Sequence, residues 1–269
     1  DLQPAERNSR QRRGDGDRRM LQQAWNFQEA RNDNLYGPAF GDANWLMFDY
    51  KRGYAPDIEA SGIMDIFRLP KFAWWFYRSQ TDDGPVCFIA HHNLPSSGNT
   101  VRVYSNADTV KLFRNDTLIA VQGPDTDNSA VNLHHPPFTF TLPGYSPGTL
   151  RATALRNGKE TASYSVTTPG SPAAIRLSAD FSNKTLRADN ADVVFVYATV
   201  TDSAGNQVFT SDAMIEFTVR GNAELIGSNP VRAEAGIAAV LIKAGNPGRI
   251  MIRAVSPGMS QAELMTEAK

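Results

Sequence analysis

Apolar residues are spaced in two different ways along this chain, and the change of spacing divides it. From Asp17 to Asn32 they stand at Met20, Leu21, Ala24, Trp25, Phe27 and Ala30, offsets that line one face of a helix. Asn44–Tyr50 (NWLMFDY) is a short, nearly continuous apolar run containing one acid, the pattern of a strand buried in a parallel sheet. Leu69–Gln80 (LPKFAWWFYRSQ) predicts a second helix, with Pro70 near its start, where a missing N–H does no harm. Helix, buried strand, loop and helix is the grammar of a β/α barrel or a doubly wound sheet. Three elements close neither, so residues 1–83 are expected to be the tail end of a larger domain.

Past TDDGP (81–85) the spacing changes. PVCFIAHH, TVRVYSN, TVKLFRND, TLIAVQG, FTFTL, GTLRATALRNG and KETASYSVTT follow one another as short runs. TVKLF alternates apolar with polar residues, which puts Val110 and Leu112 on an inner face, with Ile119 as a further candidate. RNDT between two of the runs is a hairpin signal. About seven strands over residues 84–169 suit an immunoglobulin-like β-sandwich. TTPGSPAA (167–174) reads as a linker. Residues 170–269 repeat the plan with AIRLSAD, VVFVYATVTD, MIEFTVRG, AAVLIKAG and GRIMIRAVS as strands and DSAGNQ as a turn. No residue-level repeat relates the two sandwiches.

Composition sharpens the division. All four tryptophans and ten of the twenty-two Phe and Tyr residues fall in residues 1–80. With Lys+Arg 27 against Asp+Glu 28 the formal net charge is −1, which removes any composition-level case for nucleic acid. No stretch approaches a membrane span. The single cysteine, Cys87, excludes an internal disulfide framework and any multi-cysteine cluster; it is expected as a buried, inert thiol. Histidine is confined to His91-His92 and His134-His135. Neighbours on a strand point to opposite faces, and no carboxylate or thiol stands at a ligand spacing nearby, so neither a metal site nor a cofactor is expected. Arg7, Arg10, Arg12, Arg13, Arg18 and Arg19 are diluted by Asp15 and Asp17 and read as a solvated loop and helix face. The first residue is Asp, and the opening lacks the apolar core of a signal peptide. The expectation is the interior of a longer polypeptide.

NWLMFDYKRGY, followed by SGIMDIFRLPKFAWWFYRSQ, resembles the end of the catalytic barrel of glycoside hydrolase family 2, particularly its β-galactosidase-like members. The resemblance is carried by Trp45 and Asp49, Ser61-Gly62 and Asp65, Arg68-Leu69-Pro70-Lys71, and Ser79-Gln80. VRVYSNADTVKLFRNDTLIA resembles the sandwich that follows the barrel in many such enzymes, through Asn106, Asp108, Val110, Leu112 and Asn115. Residues 170–269 are similar to the invasin-like module at the C-terminus of some members.

The resemblance implies a multidomain chain: the C-terminal remnant of a (β/α)8 barrel followed by two immunoglobulin-like sandwiches. It implies a parent enzyme that is a retaining β-glycosidase, with terminal β-galactosides as substrate. Two glutamates would act there about 5–5.5 Å apart. Both should lie upstream of Asp1, so no catalytic residue is expected in this chain and the fragment alone should be inactive. The other partner is then the missing N-terminal part of the same polypeptide. Trp45 would form a platform beneath the sugar, the alternative being a core tryptophan under the barrel rim. Asp49 would accept hydrogen bonds from sugar hydroxyls or be tied in a salt bridge with Arg52 or Arg68. Tyr50, Lys51 and Arg52 would line the same mouth. Arg68 and Lys71 are expected in ion pairs with Asp65, Asp57 or Glu59. Location would be periplasmic or extracellular in a bacterium. The competing function is a non-catalytic carbohydrate-binding or adhesive surface module, which exposed coplanar aromatics on a sandwich face would favour.

Overall fold

A computed structural model describes residues 2–269. They form two compact units, one ending at Thr168 and the other Pro169–Lys269. Most regular structure is antiparallel β-sheet, with two α-helices near the start.

Helix α1 (Asp17–Tyr36) buries Met20, Ala24 and Phe27, the i, i+4, i+7 stripe of an amphipathic helix. Ala30 is exposed. The buried face also carries the polar side chains of Gln23, Gln28 and Asn32. Each has a purpose in the fold. The Gln23 amide donates to the carbonyls of Ser9, Ala60 and Gly62. Gln28 donates to the Ser129 carbonyl and Asn32 to that of Asn128. These bonds tie α1 to three separate loops, around residues 9, 60–62 and 128–129.

The expected buried strand at Asn44–Tyr50 is corrected. Residues 41–45 and Met47 are exposed, and only Tyr50 enters a strand, β1 (Tyr50–Lys51), paired with β2 (Ile58–Glu59). A strand buried on both faces needs hydrogen-bonding neighbours and covering layers. Here the segment's ladder partner is the stretch around Ile63 and Met64, whose N–H groups donate to Leu46 and Met47 carbonyls at 3.1 and 2.9 Å. Along the run Trp45 and Met47 are therefore exposed, while Leu46, Phe48 and Tyr50 are half-buried. The second helix, α2 (Phe72–Ser79), begins two residues after Pro70, with Lys71 as its N-cap.

The seven strands expected downstream are all present. They are β3 (Cys87–Ala90), β4 (Thr100–Ser105), β5 (Thr109–Arg114), β6 (Thr117–Gln122), β7 (Phe138–Thr141), β8 (Thr149–Arg156) and β9 (Lys159–Thr167). They form a three-stranded sheet, β3-β4-β7, and a four-stranded sheet, β6-β5-β8-β9, with β3 against β8 and β9. Val110 and Leu112 are fully buried, and Ile119 is half-buried. Asn115 and Asp116 adopt φ of 48° and 65° in the β5–β6 hairpin, the left-handed pair that a tight two-residue turn requires.

Helix α2 packs on the outer face of this sandwich. Phe72 and Phe76 are buried with Phe88 and Tyr104, and the Trp75 ring stacks on Phe88 at 4.3 Å and 4°. Each such buried aromatic contributes roughly 1.5–3 kcal/mol of transfer free energy. This contact makes residues before and after TDDGP one packed unit.

The second unit holds β10 (Ala174–Asp180), β11 (Val193–Thr201), β12 (Met214–Arg220), β13 (Ala223–Ile226), β14 (Val231–Arg232), β15 (Ile237–Ala244), β16 (Gly248–Val255) and β17 (Ala262–Ala268). Two sheets, β10-β11-β15-β13 and β14-β12-β16-β17, enclose a core of Val196, Val200, Ile215, Phe217, Ile242, Ile250 and their neighbours. DSAGNQ is a turn closed by the Asp202 carboxylate, which accepts the N–H groups of Gly170, Ala204 and Asn206. Those bonds hold Asp202 well below the usual carboxylate range, at about 2.

Candidate functional site

The segment Trp45–Arg52 folds against residues 58–65 and the start of α2. Consecutive side chains turn opposite ways. Asp49 is buried at 6% exposure, whereas Trp45 is 72% exposed. The Trp45 ring meets Tyr50 edge-on, with centroids 6.5 Å apart and planes at 77°. The sequence-predicted residues are therefore close in space but split between an inner and an outer face.

The buried side of the same segment carries a network of charges. The Lys71 ammonium, with a fully buried side chain, donates to Asp49 Oδ1 at 2.8 Å and to the Gln11 and Ala60 carbonyls at 2.7 and 3.0 Å. Asp49 Oδ1 also accepts the Gly62 N–H at 2.8 Å. Burial pushes Asp49 up to about 6, against the pull of Lys71. Neither pairing expected from sequence is the one formed. Asp49 takes Lys71 rather than Arg52 or Arg68, and Lys71 takes Asp49 rather than Asp65, Asp57 or Glu59. Arg52 instead pairs with Asp57 and, at 3.0 Å, with Glu59. Arg68 lies over the Phe48 ring at 5.4 Å.

The N-terminal arginines are only partly a solvated face. Arg13 is buried and holds Asp65 at 2.6 Å, and Arg10 reaches Glu59 at 3.1 Å. Asp65 further accepts the N–H groups of Phe67 and Leu69. Each of the buried carboxylates Asp49, Glu59 and Asp65 is thus bonded to a cation. Such a set fixes the loop; it does not present a free acid to a substrate. Tyr36, Phe40, Trp45 and Tyr54, by contrast, are all exposed.

Cys87 is buried, and burial pushes its thiol up to about 12, which leaves it unreactive. His91 accepts the Asn93 N–H at Nδ1 and faces the Gly98 carbonyl with Nε2, so it is a neutral core imidazole; burial lowers its pKa. The other histidine pair corrects the expectation that no carboxylate stands near. His134 and His135 lie in an irregular loop, not a strand, and both face Asp82. Strand alternation does not apply there, and the acid comes from 52 positions away. Among described residues after 84, Tyr145 is the one exposed aromatic, so the sandwiches present no aromatic shelf.

Residues 175–265 match the family model described as glycoside hydrolase family 2 C-terminal domain 5, and residues 99–162 match a domain of unknown function, DUF4982. A β-galactosidase of Thermoanaerobacter pseudethanolicus is 35% identical over 80% of this chain and 32% of its own length. A Bacteroides ovatus β-galactosidase, BoGH2A, is 32% identical over 85% of this chain and 28% of its own. The crystal structure of a β-glycosidase from Bacteroides vulgatus superposes with a TM-score of 0.78 at 22% identity, covering 90% of this chain and 32% of that one. The chain spans about a third or less of the length of these relatives.

Proposed function

Because the chain belongs to the C-terminal part of glycoside hydrolase family 2, we propose that it completes a retaining β-glycosidase acting on terminal β-galactosides. In this reading residues 1–83 close a (β/α)8 barrel, and the two sandwiches, immunoglobulin-like, are accessory modules. The catalytic glutamates lie upstream, and the 269-residue chain by itself is inactive. The parent works in the periplasm or outside a bacterial cell, a placement that rests on family likeness alone.

The observation that carries the reading is the exposed Trp45 ring on a segment whose buried neighbour Asp49 is already held by a cation. A sugar ring offers slightly positive C–H groups, and an aromatic face suits them. Tyr50, whose ring meets Trp45 edge-on, and Arg52 are assigned to the same sugar-binding surface. Asp49 acts beneath it as a positioning residue, held by Lys71. Galactosides are preferred to glucuronides because the two relatives above 30% identity are both named β-galactosidases, whereas the two named for glucuronides are 27% and 24% identical; a further β-galactosidase stands at 23%. The carbohydrate-binding module draws no support from the sandwich faces.

The test is hydrolysis of chromogenic β-galactoside and β-glucuronide by two proteins: this chain, and one extended upstream through the rest of the barrel. Only the extended protein should act, and on the galactoside. Turnover by the 269-residue chain would overturn the placement of the reactive acids. Preference for the glucuronide would overturn the substrate.

A further inference from the structure

The turn after α2 and the loop between β6 and β7 bring three donor groups to one point. His134 Nε2 lies 2.9 Å from Asp82 Oδ2, and His135 Nε2 lies 3.1 Å from Asp82 Oδ1. One donor atom from each residue falls within 4.8 Å of the other two. The two rings are adjacent, with centroids 4.1 Å apart and tilted by 58°, so both edges aim at the same carboxylate. We propose that Asp82, His134 and His135 form a binding site for a borderline divalent transition-metal ion such as Zn²⁺, clipping the α2 exit turn to the β6–β7 loop.

Donor chemistry selects the ion. Two imidazole nitrogens and one carboxylate suit zinc and its neighbours; Mg²⁺ and Ca²⁺ take all-oxygen sets. A tetrahedral ion with bonds of about 2.0–2.1 Å needs donors roughly 3.3 Å apart, within reach of small side-chain rotations from the present spacing. The remaining coordination positions would be filled by water. The site is exposed on one side, with Asp82 61% and His134 62% exposed and His135 at 15%.

The scaffold is fixed before any ion arrives. Gln80 stands two residues before Asp82. Its amide donates to the His135 carbonyl at 2.7 Å, and its oxygen accepts the His135 N–H at 3.4 Å. Pro136 and Pro137 follow, and the Pro137 carbonyl accepts the Asp125 N–H at 2.8 Å. The turn that carries the acid therefore holds the backbone that carries the imidazoles, and such preorganisation lowers the ordering cost of a metal site. Without an ion each Nε2–H donates to Asp82. Binding needs each neutral ring to carry its proton on Nδ1, freeing the Nε2 lone pair, with no net proton released. One feature opposes the ion: Arg156 Nη2 lies 3.6 Å from Asp82 Oδ1. That arginine gives the proposal a distinctive test.

Zn²⁺ alone is titrated into the chain, free of any histidine tag, by calorimetry at pH 7.5, with Mg²⁺ as comparison. One equivalent of Zn²⁺ should bind, Mg²⁺ should not, and Zn²⁺ should raise the melting temperature. His134→Ala and Asp82→Asn should each weaken binding at least tenfold. Arg156→Gln should strengthen it severalfold, which a merely adventitious histidine contact would not predict. Affinity should fall as the solution is acidified, because a metal ligand must give up its proton to bind. Circular dichroism verifies that each variant folds, and the visible spectrum of bound Co²⁺ in the unmodified chain reads coordination without any substitution. Unchanged Zn²⁺ binding in the His134→Ala/His135→Ala double variant, weaker binding in Arg156→Gln, or a Co²⁺ spectrum equal to that of the aquo ion would each overturn the proposal.

Discussion

Lys71 and Asp49 meet at 2.8 Å with both side chains nearly inaccessible to water. Removing one partner from such a pair strands the other charge, which costs about 3–5 kcal/mol. Lys71→Met should therefore destabilise the chain by that amount in urea denaturation. Replacing both, as Lys71→Met with Asp49→Leu, should cost clearly less than the two single changes summed. A loss under about 1 kcal/mol for the single change would mean that water reaches Asp49 freely.

The same pair carries a pH signature. Burial raises Asp49 to about 6 against the pull of Lys71, while an unfolded aspartate sits near 4. The folded state then binds the proton more tightly. The contribution of this group to stability should fall as pH rises from about 4 to about 6 and stay level above that. The full change is at most about 3 kcal/mol. Carbon-13 NMR of the Asp49 carboxyl gives the midpoint, and comparison with Asp49→Asn isolates its share of stability. A midpoint below 4 would show that Lys71 outweighs burial.

Trp45 tests the surface above. At 72% exposure its truncation removes little packing, and Trp45→Ala should change stability by less than about 0.5 kcal/mol. In an enzyme extended through the rest of the barrel, the same change should lower kcat/KM at least tenfold, about 1.4 kcal/mol of transition-state binding. A neutral kinetic result with unchanged stability would remove Trp45 from the site.

The sandwich strands were legible in the sequence because they are short runs rich in apolar and β-branched residues, punctuated by turn signals. TVKLF and its Asn115-Asp116 hairpin are the clearest case, with residues of one face buried and φ positive at both turn positions. β17 was not legible. AELMTEA is rich in helix formers, yet it pairs along its whole length with β16, and the sheet edge decides its conformation. Gln23 and Gln28 were missed for a related reason: polarity says solvent, while the carbonyls they satisfy come from segments far along the chain. NWLMFDY misled because its apolar character describes a surface, and periodicity cannot say whether anything covers it. Trp45, Asp49, Tyr50 and Arg52 were singled out through a family resemblance. Their division into an outer aromatic pair and an inner ionic network depends on Lys71 and Gly62, whose partners no spacing rule supplies.

Gly62 is where the backbone of this site comes closest to itself. A Cβ there would stand 2.3 Å from the Asp49 nitrogen and 2.5 Å from both the Met64 oxygen and the Phe48 carbonyl carbon. Those are backbone atoms that cannot rotate away. Gly62→Ala should force the 46–49 segment outward, cost upward of about 2 kcal/mol, and break the Gly62 N–H bond to Asp49. At Gly53, earlier in the same loop, a Cβ would meet nothing within 4 Å, so Gly53→Ala serves as the neutral control in the same urea titration. In the extended enzyme Gly62→Ala should also depress kcat/KM at temperatures where the protein remains folded, because Asp49 and Trp45 ride on the displaced segment. If Gly62→Ala matches Gly53→Ala in both stability and turnover, the close crossing at Gly62 does not hold the Trp45 surface in place.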